Sequence, residues 1–337
     1  MAIFVEHIVK FVAFFSKRRK RFETWQSWYI LANGMENISK QKEDKDSNSK
    51  KEESFLPINI KALATRVSPT LGKLVPKFMY NWFEKILHVK ELNAFFAEHE
   101  DDDAQKFLDA AVEFLGIHPS YEGQGTDAVE TLKGQKVMFA SNHPYGGPEA
   151  MVLFDYLHRE FPDCRLVAQS FLKFIKPLGK SCVYNKKEVR TLLNAVNEGT
   201  SLLIYPAGYC SRKLSFGEVF DYDWKPSFVK IAKRNNMPIV VFYTDGQLSK
   251  RMHRWTSFRR FFHIKTSIET LFLVDEMFKL RGQTMRLVVG STIDPAKLDD
   301  SITNEEWAAR IRQYCYELRK NPNLEFDYTK KATLPSR

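Results

Sequence analysis

Cysteine is scarce in this chain and unpaired in its spacing. Cys164, Cys182, Cys210 and Cys315 form neither the close pairs of a zinc site nor the framework of a disulfide-stapled secreted domain. Reduced thiols and no bound metal are expected. Long apolar runs are also missing, for no stretch reaches the roughly 18 to 20 residues of a spanning helix. The apolar-rich segment from Ala2 to Phe15 is broken by Glu6, His7 and Lys10, with no cationic region before it. It suits an interfacial helix better than a secretory signal. There is no Walker loop, dinucleotide fingerprint or G-x-S-x-G elbow, so P-loop, Rossmann-type and serine-hydrolase chemistry have no foothold.

Positive charge is what the chain has in excess: 51 Lys and Arg against 41 Asp and Glu give +10 over 337 residues. An anionic partner follows, and membrane or nucleic acid would satisfy it. Lys17-Arg18-Arg19-Lys20-Arg21 follows the first apolar segment, and the cations between Lys250 and Lys265 are interleaved with Trp255, Phe258, Phe261 and Phe262. Rings and cations together suit the headgroup zone of an anionic bilayer. They would also stack single-stranded nucleic acid, but no nucleic-acid module accompanies them. An anionic membrane surface is therefore the expected partner and nucleic acid is not. For either cluster alone, core aromatics beneath a solvated charged face is an equally good reading.

The length fits one α/β domain with appendages. Residues 1–34 read as an amphipathic basic helix, and residues 35–56 as a disordered linker. Positions 39–54 of that linker carry no apolar side chain and cannot offset chain entropy by burial. Met35 leaves open a start just after the first helix. Residues 57–130 read as helical, with a stripe of Leu71, Leu74, Val75, Phe78, Met79, Trp82, Phe83, Ile86 and Leu87 that serves either a core or a lipid surface. Shorter helical patterns lie at Glu91 to Glu98 and Asp103 to Leu115.

From residue 131 to 325 short apolar runs alternate with helical patterns, the signature of a mixed, largely parallel sheet flanked by helices. The runs are Val137 to Ala140, Arg165 to Ala168, Cys182 to Tyr184, Leu202 to Tyr205, Pro238 to Tyr243 and Met285 to Val289. Helices are expected at Pro148 to Arg159, Lys187 to Asn197, Pro226 to Arg234 and Asn304 to Arg319, the last opened by a capping box of Thr303 and Glu306. Residues 326–337 form a tail. The fold class is α/β, with amphipathic helices at the N-terminal end.

In such sheets functional residues gather beyond the carboxyl ends of strands. Ser141-Asn142-His143-Pro144-Tyr145-Gly146-Gly147-Pro148-Glu149 follows one strand end and joins a histidine, a flexible glycine pair and a carboxylate. His143 reads as a general base or as a satisfied strand-end residue. Glu149 reads as its orienting acid or as an acid favoured by the helix dipole behind Pro148. A second segment, Tyr205-Pro206-Ala207-Gly208-Tyr209-Cys210-Ser211-Arg212-Lys213, turns from the next strand end into adjacent cations. It is either an anion cradle or an ordinary charged turn.

Together the two segments resemble the motifs of the glycerolipid acyltransferase superfamily. Its first motif is Asn-His, four residues and Asp; its third is Phe-Pro-Glu-Gly-Thr-Arg-Ser. Asn142-His143 and Tyr205-Pro206-Ala207-Gly208 with Ser211-Arg212 take the matching positions, about sixty residues apart. Val183-Tyr184-Asn185-Lys186 stands where the second motif belongs, and Met237-Pro238-Ile239-Val240 resembles the fourth. The chain departs from the pattern in three ways. The acid is Glu and comes one residue late, Ala207 replaces the motif-three Glu, and the motif-two Arg is absent unless Lys186 or Lys187 substitutes. The form is similar to a bacterial branch of hemolysin-like acyltransferases associated with ornithine and glycine lipids, and the resemblance runs from about Ile58 to Ile293.

The resemblance implies acyl transfer from acyl carrier protein or coenzyme A to the hydroxyl of a lyso-lipid acceptor, on the cytoplasmic face of a membrane and without a bound cofactor. His143 would be the base and Glu149 its partner. Asn142, Gly146, Gly147, Asn185, Lys186, Pro206, Gly208, Ser211, Arg212 and Lys213 would contact substrate. A glycine N–H is expected at the developing oxyanion, and Arg212 with Lys213 at an anionic group of the acceptor. The alternative is an inactive, membrane-associated lipid-binding protein of the same fold. The late acid sets a geometric condition, since one extra residue turns a helical side chain by about 100 degrees. The dyad forms only if Gly146-Gly147 is a non-helical turn and the helix starts at Pro148.

Overall fold

The computed structural model describes residues 57–67, 76–169, 172, 175–184, 189–213, 218–254 and 272–335. The expected helix at 1–34, the linker at 35–56, the stripe residues Leu71, Leu74 and Val75, the motif residues Asn185 and Lys186, and the aromatics Trp255, Phe258, Phe261 and Phe262 lie outside them.

Among the described residues the helices are α1 (Ile60–Val67), α2 (Lys77–Ile86), α3 (Val89–Glu98), α4 (Ala104–Leu115), α5 (Gly125–Thr131), α6 (Pro148–Glu160), α7 (Val189–Asn197), α8 (Ser227–Asn235), α9 (Leu273–Phe278) and α10 (Asn304–Glu317). The strands are β1 (His118–Glu122), β2 (Met138–Ser141), β3 (Arg165–Ala168), β4 (Cys182–Tyr184), β5 (Leu202–Ile204), β6 (Arg212–Lys213), β7 (Val219–Phe220), β8 (Ile239–Thr244) and β9 (Thr284–Val289). Seven strands form one sheet in the order β1-β9-β8-β2-β5-β3-β4, and β6 pairs with β7 in a separate ribbon. Every pairing in the large sheet is parallel except β8 with β9. The mixed, largely parallel sheet is as expected.

β2, β5 and β8 occupy the middle and are covered on both faces, which is why they read as unbroken apolar runs. Along β2 the side chains alternate. Met138 and Ala140 enter one core with residues of α7, α8 and α10. Phe139 enters the other, with Phe107 and Leu108 of α4 and Leu153, Phe154 and Leu157 of α6. Helix ends follow local chemistry. Asp103 caps α4 through the Lys106 N–H, Gly116 ends it at φ 57°, and Thr303 caps α10 through the Glu306 N–H.

Several elements have no counterpart in the sequence reading, among them β1, α9 and the β6–β7 ribbon. β1 was not expected because His118-Pro119-Ser120 is polar and exposed; it is an edge strand held by β9 on one side. The Arg212–Lys213 ribbon was expected as loop. Helix α2 divides the predicted stripe: Tyr80, Phe83 and Leu87 are buried, whereas Phe78 and Trp82, one turn apart, are exposed. The sheet centre bears directly on the site because β2 carries His143. Phe139→Ala should lower unfolding free energy by roughly 3 to 5 kcal/mol, read as a lower urea midpoint with unchanged m-value.

Candidate active site

Three parallel carboxyl ends, β5, β2 and β8, lie side by side, and the chain leaves the middle one through Asn142. The Asn142 side-chain amide donates to the Thr244 carbonyl at 2.9 Å, and its oxygen accepts the Thr244 N–H at 2.7 Å. A carboxamide here completes the ladder to β8. Asn142, assigned to substrate on the motif, is 2 % exposed and acts instead as the bolt beneath the base.

Residues 144–147 are non-helical and α6 begins at Pro148, as the late acid required. Glu149 has no exposed surface. Its Oε1 accepts the N–H groups of Tyr145 at 3.0 Å and Gly146 at 2.9 Å, and its Oε2 accepts that of Gly147 at 3.2 Å. The same Oε1 lies 2.9 Å from His143 Nδ1. The approach does not meet hydrogen-bond geometry at the ring nitrogen and stands as a close electrostatic contact. Burial alone would raise the Glu149 pKa. The His143 charge and contact, with the loop N–H groups, outweigh it and hold the carboxyl below the usual range. The two readings of Glu149 therefore coincide: it stabilises the helix start and touches the base.

Gly146 adopts φ 90°, and a Cβ there would sit 2.3 Å from Cys210 Sγ. Turn and close approach both demand glycine. The expected oxyanion role is not met, because the Gly146 and Gly147 N–H groups already donate to Glu149.

The second loop closes over the first. The Ser211 N–H donates to the His143 carbonyl at 2.7 Å, and the Ser211 hydroxyl to Asp221 Oδ1 at 2.6 Å. Ser211, read as part of an anion cradle, has both its donors occupied and clamps the loops together. Gly208 at φ 70° forms the turn, and the Pro206 carbonyl accepts the Lys225 N–H. The Tyr205 ring centroid is 4.3 Å from that of His143, and its buried hydroxyl has no hydrogen-bond partner among the described residues. Arg212 is 7 % exposed and donates to the carbonyls of Cys210 and Ser211, both at 3.2 Å. It meets no carboxylate among the described residues. Lys213 is exposed on the ribbon.

Three contributors were invisible in the sequence. Asp221 is buried behind His143, and α10 reaches the same place through Arg312 and Tyr316. His253 is held below the usual histidine range by burial and then by the Arg212 and Lys213 charges, with Glu276 acting against them. Only spatial proximity reveals them.

A base with a buried acid partner, beside a buried cation free of acids, is the equipment for transfer to an anionic acceptor. The model of a family described as Acyltransferase matches residues 61–324. The chain belongs to the acyltransferase family. A lyso-glycine lipid O-acyltransferase of Bacteroides thetaiotaomicron is 28% identical over 276 residues, 79% of this chain and 99% of the relative. A protein of the same name from Phocaeicola vulgatus is 27% identical over 276 residues, 79% of this chain and 97% of the relative. The crystal structure of the 1-acyl-sn-glycerophosphate acyltransferase PlsC from Thermotoga maritima covers 64% of this chain and 78% of its own, at 15% identity and a TM-score of 0.40.

In this acyltransferase the late acid, which with the missing motif-three Glu was the ground for an inert reading, still reaches the ring. His143→Ala should lower turnover by roughly 10² to 10⁴ with the fold intact by circular dichroism. Glu149 has a lower pKa folded than unfolded, so its contribution to stability is present at neutral pH and lost as pH falls through the depressed folded value. Glu149→Gln should therefore flatten the acid side of a plot of melting temperature against pH.

Proposed function

We propose that this acyltransferase moves a fatty acyl group from an acyl thioester to the hydroxyl of a lyso-aminolipid, with His143 as general base. The reading rests chiefly on the 2.9 Å approach of His143 Nδ1 to the fully buried Glu149, which leaves Nε2 as the nitrogen to face substrate. A hydroxyl is a weak nucleophile at neutral pH. Nε2 takes its proton as the oxygen attacks the thioester carbonyl, and Glu149 offsets the charge gained by the ring. The tetrahedral adduct expels the thiolate, which recovers the proton from the imidazolium. The products are an ester and a free thiol, with no acyl-enzyme between.

Arg212 suits a carboxylate or phosphate on the acceptor. The names of the two curated relatives favour a lyso-glycine lipid over lyso-ornithine lipid or lysophosphatidate. Acyl carrier protein and coenzyme A both fit as donor carriers. The purified chain, given palmitoyl-coenzyme A or palmitoyl-acyl carrier protein, should acylate lyso-glycine lipid fastest of the three acceptors by mass spectrometry. Faster turnover of lysophosphatidate would overturn the acceptor assignment.

The acceptor lies in a bilayer, and among the described residues no helix is long and apolar enough to cross one. Attachment to the cytoplasmic face as a peripheral protein is the matching arrangement. On α2, Phe78 is 71% and Trp82 42% exposed, beside Lys77 and Lys85 on the same helix. Rings with flanking cations are interfacial equipment. The double change Phe78→Ser and Trp82→Ser should cut sedimentation with phosphatidylglycerol vesicles several-fold and leave melting temperature nearly unchanged.

A further inference from the structure

We infer that Asp221 is a positioning residue for acyl transfer: one of its carboxylate oxygens takes hydrogen bonds from both the His143 main chain and the Ser211 side chain, and so fixes the base relative to the Arg212 loop. The inference rests on the reading of His143 as the base.

Asp221 has no exposed surface. Its Oδ1 accepts the Ser211 hydroxyl at 2.6 Å and the His143 N–H at 3.2 Å, and its Oδ2 accepts the Trp224 indole N–H at 2.9 Å. Three donors on two oxygens use the carboxylate purely as an acceptor. Its main chain is held in turn by α10. The Asp221 N–H donates to the Tyr316 hydroxyl at 2.7 Å, and Arg312 Nη2 donates to the Asp221 carbonyl at 2.6 Å. Position is thus passed from α10 to Asp221, from Oδ1 to both loops, and through Ser211 to Arg212, the next residue.

The two oxygens have different duties. Oδ1 touches only the two loops of the site, and Oδ2 only Trp224, a core residue behind it. No neutral amide could take its place, because the nitrogen standing where Oδ2 meets the Trp224 N–H would be a donor. Burial raises the Asp221 pKa, and the Ser211, Trp224 and His143 donors together with the His143 charge act against it, so a protonated His143 ring favours the acceptor-only form of Asp221. Misplacement of a base by about 1 Å costs on the order of 10²-fold in rate.

The test assays purified variants with palmitoyl-coenzyme A and lyso-glycine lipid in mixed micelles, each well below its own melting temperature. Asp221→Ala should lower kcat about 10²-fold, raise KM for the acceptor several-fold as Arg212 shifts, and leave donor KM unchanged. Trp224→Phe, which strips only Oδ2, should lower melting temperature yet keep wild-type kcat and both KM values. If Asp221→Ala does not fold, Ser211→Ala, which removes one Oδ1 donor, should lower kcat about tenfold with the same acceptor-selective rise in KM. The inference is overturned if these Oδ1-side variants lose kcat only in proportion to folded fraction, with neither KM moved, as in Trp224→Phe. His143→Ala separates the two claims. An active His143→Ala removes the base reading itself, whereas an inactive one beside a Trp224-like Asp221→Ala removes only the role of Asp221.

Discussion

The loop that carries the base is folded around one buried negative charge. A carboxylate shut off from water must find donors, and Glu149 finds them in the three successive N–H groups of Tyr145, Gly146 and Gly147. To present them the chain must curl back over its own acid, which sets Gly146 at φ 90°. The bare Cα of that residue lets Cys210 press in, and Cys210 leads directly into Ser211 and Arg212. One desolvated carboxylate therefore dictates the glycine, the neighbouring thiol and the approach of the second loop.

The surrounding fold holds this arrangement from beneath and behind. Asn142 extends the β2 ladder to β8 with side-chain atoms, which frees His143 from the sheet without loosening its root. Cys315 of α10 lies against the same amide, with its Sγ 3.4 Å from the Phe242 carbonyl. The His143 ring is packed against Tyr205, which directly follows the strand neighbouring its own. The contacts come from the sheet neighbours β5 and β8 and from α10 packed against them, not from elements adjacent in the chain.

That difference explains what could be read from the sequence. The central strands were legible because both faces are covered, so Val137 to Ala140 and Pro238 to Tyr243 are simply apolar. The start of α6 was legible because Pro148 is at ease only at a helix start. The pairing of His143 with Glu149 followed from motif and spacing together. Strand β1 was not legible, since its polar residues pair at an edge where burial imposes no pattern. Asn142, Gly146, Gly147 and Ser211 were located, but their structural duties were not. Their types suit substrate contact, and only coordinates reveal that their donors and acceptors are engaged within the protein. Asp221 lay outside any motif, and its importance depends on partners reached across 78 residues to His143 and 95 to Tyr316.

The reach of α10 also has a consequence in time. Cys315 touches Asn142 across 173 positions, and Arg312 and Tyr316 grip Asp221 from the same late helix. During synthesis the sheet strands leave the ribosome well before this helix, because translation adds only about 5 to 20 residues each second. The nascent chain thus spends seconds with its strands made and its histidine loop unsupported. The histidine loop therefore gains its support from α10 only after the strands that carry it have been made.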